Sequence, residues 1–199
     1  MSPARLIALA ALVAAGGCYT GSARDVSTTE RARALRDSAW VVVDDVPFVA
    51  QQSDGECGPA ALAMVLGHYG VSVPPSEIAA QDPAAMATVG LRAGTLRDVA
   101  RAKGLEAFVV SGTFVDLLAE LQKGRPVLVG VAKPVALGRA RTHYEVVVGL
   151  NRRDKLIRSL DPGRGLRENT LEGFAREWVP TRQVTIVVFP PAAQVGRGS

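Results

Sequence analysis

The segment Gln51-Gln-Ser-Asp-Gly-Glu-Cys57-Gly-Pro-Ala-Ala-Leu-Ala-Met-Val-Leu-Gly-His68 decides how this chain is read. Ser53-Asp54-Gly55 is a turn. The apolar run that follows is a helix over Cys57–Tyr69, ended by Gly70. Pro59 suits its first turn, where a missing N–H removes no hydrogen bond. Cys57 therefore stands at a helix start. Unpaired backbone N–H groups and the helix dipole favour a thiolate there, and the thiolate is the nucleophilic form. With a histidine and an orienting partner in reach, such a chain would be a cysteine hydrolase.

The chain offers two histidines as bases. His68 lies eleven residues after Cys57 on the same helix, about 16 Å along its axis, too far to touch the thiol. It reads as a polar helix end. His143 remains. An imidazole base needs an acceptor on its far nitrogen. Tyr144–Leu150 and Lys155–Leu160 read as two strands joined by Asn151-Arg-Arg-Asp154. A turn centred on Arg152 would pair His143 with Asp161, with Cβ atoms about 5 Å apart. Asp161 also opens an Asp-Pro-Gly turn, a common structural use of aspartate that would fix its carboxylate. An oxyanion donor is the last requirement. Gln51, six residues before Cys57 across a turn, and Gln52 are both candidates.

Elsewhere, Trp40–Val43 reads as a short strand and Ser76–Gln81 as a short helix, with 82–94 loop-like. Thr95–Lys103 reads as a helix capped by Thr95, and Thr113–Lys123 as another, each stopped by a glycine. Strands are expected over Leu105–Val110, Val127–Val131 and Val184–Phe189, with a helix over Leu171–Trp178. Helices first and an antiparallel sheet second make the fold class α+β.

The pattern Gln51-x5-Cys57-Gly58-Pro59-Ala60-Ala61-Leu62-Ala63-Met64, then His143-Tyr144-Glu145-Val146-Val147-Val148, then Asp161-Pro162 resembles the bacteriocin-processing double-glycine leader peptidases. These are papain-like cysteine peptidases, best known as the N-terminal domain of peptide-exporting ABC transporters. The resemblance covers about residues 46–189. It implies a papain-like fold, with the nucleophile at a helix start packed on an antiparallel sheet that carries His and Asp. By position it implies Cys57 as nucleophile, His143 as general base, Asp161 as orienter and Gln51 as oxyanion donor. Two departures stand. No long apolar run follows residue 18, so no transporter segment is expected. The chain also reads as exported, so the leader-peptide substrate does not simply transfer.

Export is read from the first residues. Arg5 precedes the apolar stretch Leu6–Ala15, which is too short to span a bilayer, and small residues then lead to Cys18. The layout is that of a signal peptide, and Cys18 resembles the lipidated cysteine of bacterial lipoproteins. An ordinary cleaved signal with an incidental Cys18, or a Cys18–Cys57 disulfide, are the other readings. Tyr19 and Thr20, in place of an aspartate, lean towards the outer membrane. The expected division is 1–17 signal peptide, 18–38 lipid-anchored tether, 39–190 peptidase domain and 191–199 disordered tail.

Composition narrows the class. At 199 residues and 48% hydrophobic, the chain suits one domain with a real core. A net charge of +4, scattered along the chain, gives no case for nucleic-acid binding. No Cys/His cluster has ligand spacing, so no metal or other cofactor is implied. The expected partners are a peptide or protein substrate and, through the anchor, a membrane, with the protein a monomer. Arg139 and Arg141, just before His143, would favour acidic substrates or be solvated. The functional expectation is a cell-envelope cysteine peptidase. A non-catalytic peptide clamp with the same fold is the alternative, and acyl transfer to an amine would use the same residues.

Overall fold

The computed structural model describes residues 21–135 and 139–192. Two strands carry the centre. β4 (Val127–Pro134) and β5 (Ala140–Asn151) pair antiparallel over eight residues, Val127 with Val147 through Pro134 with Ala140. Every residue of β5 from His143 to Asn151 is buried, as expected of a strand covered on both faces. β6 (Leu156–Asp161) flanks β5, and β7 (Gly165–Thr170) flanks β6. On the other side β8 (Val184–Phe189) pairs with β4, and β3 (Glu106–Ser111) pairs with β8. β1 (Arg24–Asp25) closes the β7 edge, and β2 (Trp40–Val42) adds to the far end of β5. The sheet order is β1-β7-β6-β5-β4-β8-β3, antiparallel throughout.

Helices cover this sheet in two groups. α2 (Cys57–His68) packs on β5 and against α3 (Pro75–Ala79) and α5 (Ala93–Ala102). α6 (Phe114–Gln122) and α7 (Leu171–Trp178) meet through aromatic rings. Trp178 lies 5.5 Å from both Phe114 and Phe174, between ring centroids, and is fully buried. Tilted aromatic pairs of this kind add about 0.5–1.5 kcal/mol beyond their buried area. Thr113 caps α6 as expected, in a reciprocal box with Asp116.

The expected α+β architecture is the observed one. Several local expectations differ. β7 was not anticipated, because Gly-Leu-Arg-Glu-Asn-Thr lacks an alternating apolar pattern. α5 starts two residues before Thr95, with Arg92 at its N-cap. The segment expected to be loop-like contains α4 (Pro83–Met86), capped by Asp82, whose carboxylate accepts the Ala85 N–H at 2.9 Å. β4 runs three residues past Val131. The β5–β6 turn spans residues 152–155, with Asn151 paired to Leu156 and Lys155 at φ 55°. A bulge at Val148 shifts the register again. Val146 faces Leu160, so His143 is diagonal to Asp161 and not opposite it.

A further correction concerns the expected tether. Cys18 and the signal segment lie outside the described residues, as do residues 193–199 of the tail. Residues 21–38, however, fold onto the domain. β1 pairs with β7, and α1 (Thr28–Ala34) carries its own capping box from Ser27 and Glu30. Arg24 pairs with the buried Glu168, Ser22 bonds Glu177, Arg31 pairs with Asp44 at 2.7 Å, and Ala34 is buried. Polar composition hid this docking, because ion pairs make it and not an apolar stripe. Removing residues 1–38 should strip partners from Glu168 and Glu177 and lower unfolding stability by about 2 kcal/mol or more. Urea denaturation checks this, and an unchanged midpoint would make the segment an appendage.

Candidate active site

The turn before α2 is built by Glu56. Its Oε2 accepts the N–H groups of Gln52 at 2.7 Å and Ser53 at 3.2 Å, and its carbonyl accepts the Ala60 N–H at 2.9 Å. The chain thereby enters the helix at Cys57. α2 is buried from Cys57 through Leu66, so the nucleophile candidate rides on a fixed rod. Gly58 lets this helix approach the sheet. A Cβ there would lie 3.2 Å from the Tyr144 ring.

Cys57 is a free thiol, 8% exposed, and hydrogen-bonds His143. Burial pushes the thiol pKa up. The bond and charge of His143, with the N–H groups of Tyr144 and Gly58, outweigh that and leave it below the ordinary value. His143 is 4% exposed, and its Nε2 lies 2.9 Å from Asp161 Oδ1, which leaves Nδ1 for the thiol. Burial pulls the imidazole down, but Asp161 and Cys57 raise it to about 9. Asp161 is 1% exposed, and its Oδ1 also accepts the Gly163 N–H at 2.9 Å. The Asp-Pro-Gly turn does fix the carboxylate, as its structural reading expected.

Gln51 is tied to the same corner, its N–H donating to the Pro162 carbonyl at 3.0 Å. Its Oε1 is buried and has no hydrogen-bond partner among the described residues. Gln52 is exposed, and its carboxamide donates to the Ala50 carbonyl at 3.4 Å, back into its own loop. Geometry therefore favours Gln51 over Gln52 as the side chain available to the site.

A cleft of about 540 Å³ opens at Cys57. Gly58, Gly90, Gly130, Ala132, Tyr144 and Thr181 are among the residues that line it, and small side chains predominate. Arg141 is spoken for: its guanidinium bonds the Asp54 carboxylate and carbonyl, both at 2.8 Å, and straps the start of β5 to the cysteine turn. Arg139 is exposed. His68 is remote from the thiol, with its ring nitrogens on Gly124 O at 2.9 Å and Asp45 Oδ1 at 3.0 Å.

Sequence reading passed over two buried charges beside the imidazole, Lys133 and Glu145. The available signal was a charge inside each of two apolar strand runs. His143, Glu145 and Asp161 place ligand-type atoms within 4.8 Å of one another. Two carboxylates and an imidazole are donors a divalent cation accepts. Here Lys133 Nζ sits 2.5 Å from Glu145 Oε1, Ser159 holds Oε2, and Asp161 Oδ1 is shared by His143 and Gly163. Each of the three side chains is thus already engaged by groups of the protein, Glu145 by an ammonium.

A buried thiol on an imidazole, backed by a carboxylate, is an arrangement suited to covalent acyl chemistry. Known proteins agree with the fold around it. PedD of Pediococcus acidilactici, a pediocin PA-1 transport and processing ATP-binding protein, is 29% identical over 143 residues. Those residues are 72% of this chain but only 18% of that protein. The peptidase domain of ComA from Streptococcus, a bi-functional ABC transporter, superposes with a TM-score of 0.59 at 24% identity, over 73% of this chain and 99% of that one. A double-glycine-motif protease from an AMS/PCAT transporter, solved with a leader peptide, gives 0.57 at 25% identity, over 74% and 93%. The peptidase C39 family model matches residues 45–192, from just before Val46 to beyond β8, and the chain belongs to that family.

Proposed function

We propose that this protein is a cysteine peptidase of the bacterial cell envelope that hydrolyses a peptide bond through Cys57, His143, Asp161 and Gln51. One observation carries the reading: the buried Cys57–His143–Asp161 chain, with His143 Nε2 2.9 Å from Asp161 Oδ1. The Cys57 thiolate attacks the scissile carbonyl carbon. The oxyanion that forms takes hydrogen bonds from the Gln51 carboxamide and the Cys57 backbone N–H. The imidazolium gives its proton to the leaving amine, and a thioester remains on Cys57. Water then attacks the thioester with His143 as base, releasing the acid and restoring the thiol. The small-residue cleft supports a substrate with small residues before the scissile bond, and the leader-bound relative makes a double-glycine leader peptide the first probe. Cys18 carries the lipid on this reading, and the monomeric domain faces the periplasm, on the outer membrane.

Peptide cleavage should vanish in Cys57→Ala while near-ultraviolet dichroism is unchanged. Cleavage that persists in that variant refutes the mechanism. Asp161→Asn should lower kcat by about two orders of magnitude or more, because the imidazole loses its orienting acceptor.

Gln51→Ala should cut kcat about 10²–10³-fold with little change in stability. A loss confined to KM would instead make Gln51 a binding residue.

The pH profile follows from the two shifts. The thiol is depressed and the imidazole raised to about 9, so the ion pair is populated between those limits. A bell in kcat/KM is expected, its acid limb below the ordinary thiol range and its alkaline limb at about pH 9. A single rise near the ordinary thiol pKa would contradict it.

A further inference from the structure

Five ionisable side chains are buried near one another, four on the central strands and Glu177 on α7. Lys133 is 2% exposed, His143 4%, Glu145 1%, Asp161 1% and Glu177 4%. Lys133 Nζ lies 2.5 Å from Glu145 Oε1 and 2.6 Å from Glu177 Oε2. The Ser159 hydroxyl donates to Glu145 Oε2 at 2.5 Å. Glu177 Oε1 accepts the Ser22 N–H at 2.9 Å and its hydroxyl at 3.1 Å, which ties the array to the N-terminal segment. Burial works against the ammonium, yet the two carboxylates hold Lys133 above its ordinary pKa.

Burying such charges is costly, and a buried ion pair gains little over an apolar pair of the same size. Stability alone gives no reason for this array to sit here. Its location does. Lys133, His143 and Glu145 share one face of the β4–β5 ladder, because His143 pairs with Val131 and side chains alternate. Val146 faces Leu160, so the next pair of the same register sets Glu145 opposite Asp161. The ligand-type atoms of His143, Glu145 and Asp161 lie within 4.8 Å of one another. At that range a carboxylate favours the imidazolium, and an ammonium on the same face of the ladder disfavours it.

We propose that Glu145 is a positioning residue for the His143–Asp161 pair, with Lys133 as its counter-charge, and that the two together set the protonation of the imidazole. His143 faces Cys57 from α2, Asp161 from β6, Glu145 from β5 and Lys133 from β4. Glu177 from α7 stands behind Lys133. Removing Glu145's charge leaves the ammonium nearer to dominant and destabilises the imidazolium. Removing Lys133's charge does the reverse. The proposal rests on reading Cys57 and His143 as the reacting pair, but its test does not depend on turnover.

The test follows the His143 imidazole resonance by NMR across about pH 5–10 in the full chain, with His68→Gln used to assign the two histidines. Glu145→Gln keeps the size and the bond to Ser159, and should lower the His143 pKa by about one unit. Lys133→Met should raise it by about one unit, and the double variant should return close to the wild-type value. A purely structural role would lower the melting temperature without opposite shifts. An unmoved His143 in folded Glu145→Gln, or shifts of the same sign in both variants, overturns the proposal. If Lys133→Met does not fold, Glu145→Gln decides alone. Alkylation of Cys57 on the same samples separates the two readings. An inert thiol beside a shifting His143 would sink the peptidase mechanism and leave this one standing. A reactive thiol beside an unmoved His143 would do the opposite.

Discussion

The hydrogen bond between His143 Nε2 and Asp161 Oδ1 is the contact on which the rest of the site depends. It assigns one imidazole nitrogen to the carboxylate and turns the other to Cys57. It joins two strands, so its geometry is set by the β5–β6 register and not by a flexible loop. That register depends on the turn at residues 152–155 and the bulge at Val148. A one-residue slip would send His143 and Asp161 to opposite faces. The Gly163 N–H on Asp161 holds the acceptor from the other side. Burial then magnifies the bond, since an unpaired charge in that setting would be very costly.

Rigidity on the thiol side comes from a different source. α2 is apolar and buried over most of its length, and nothing about its own surface pattern selects one face. Its placement is fixed by close approach at both ends. Gly58 sits against Tyr144, and Gly67 leaves no room for a Cβ beside Pro47, at 2.8 Å. Arg141 straps the cysteine turn to β5. The helix start, the strand carrying His143 and the turn carrying Asp161 are thus locked by separate local devices that converge on one point.

Much of this was legible in the sequence, and the reasons are particular. Cys57 was readable because a turn, a proline and an apolar run share one boundary. His143 followed by elimination and Asp161 from its expected place across the hairpin. The hairpin pairing that first linked them misplaced the turn, since a non-glycine residue at positive φ, Lys155, gives no warning in the sequence. The link survived because diagonal neighbours on one face still reach each other. Docking of residues 21–38 was illegible because ion pairs hold it, and charged surfaces read as solvent-facing. Lys133 and Glu145 were passed over because strand reading weighs apolar runs and discounts a charge inside them. Both charges are buried, and Glu145 lies next to the imidazole.

The most direct test of the account is the rate at which Cys57 is alkylated by a low dose of iodoacetamide at about pH 6, read by intact mass in wild type and in His143→Ala. A thiolate held by His143 predicts rapid single labelling in the wild type and a loss of that rate in the variant. Slow labelling at the rate of a free thiol, the same in both proteins, would contradict the account and leave Cys57 and His143 as packed residues without a shared proton.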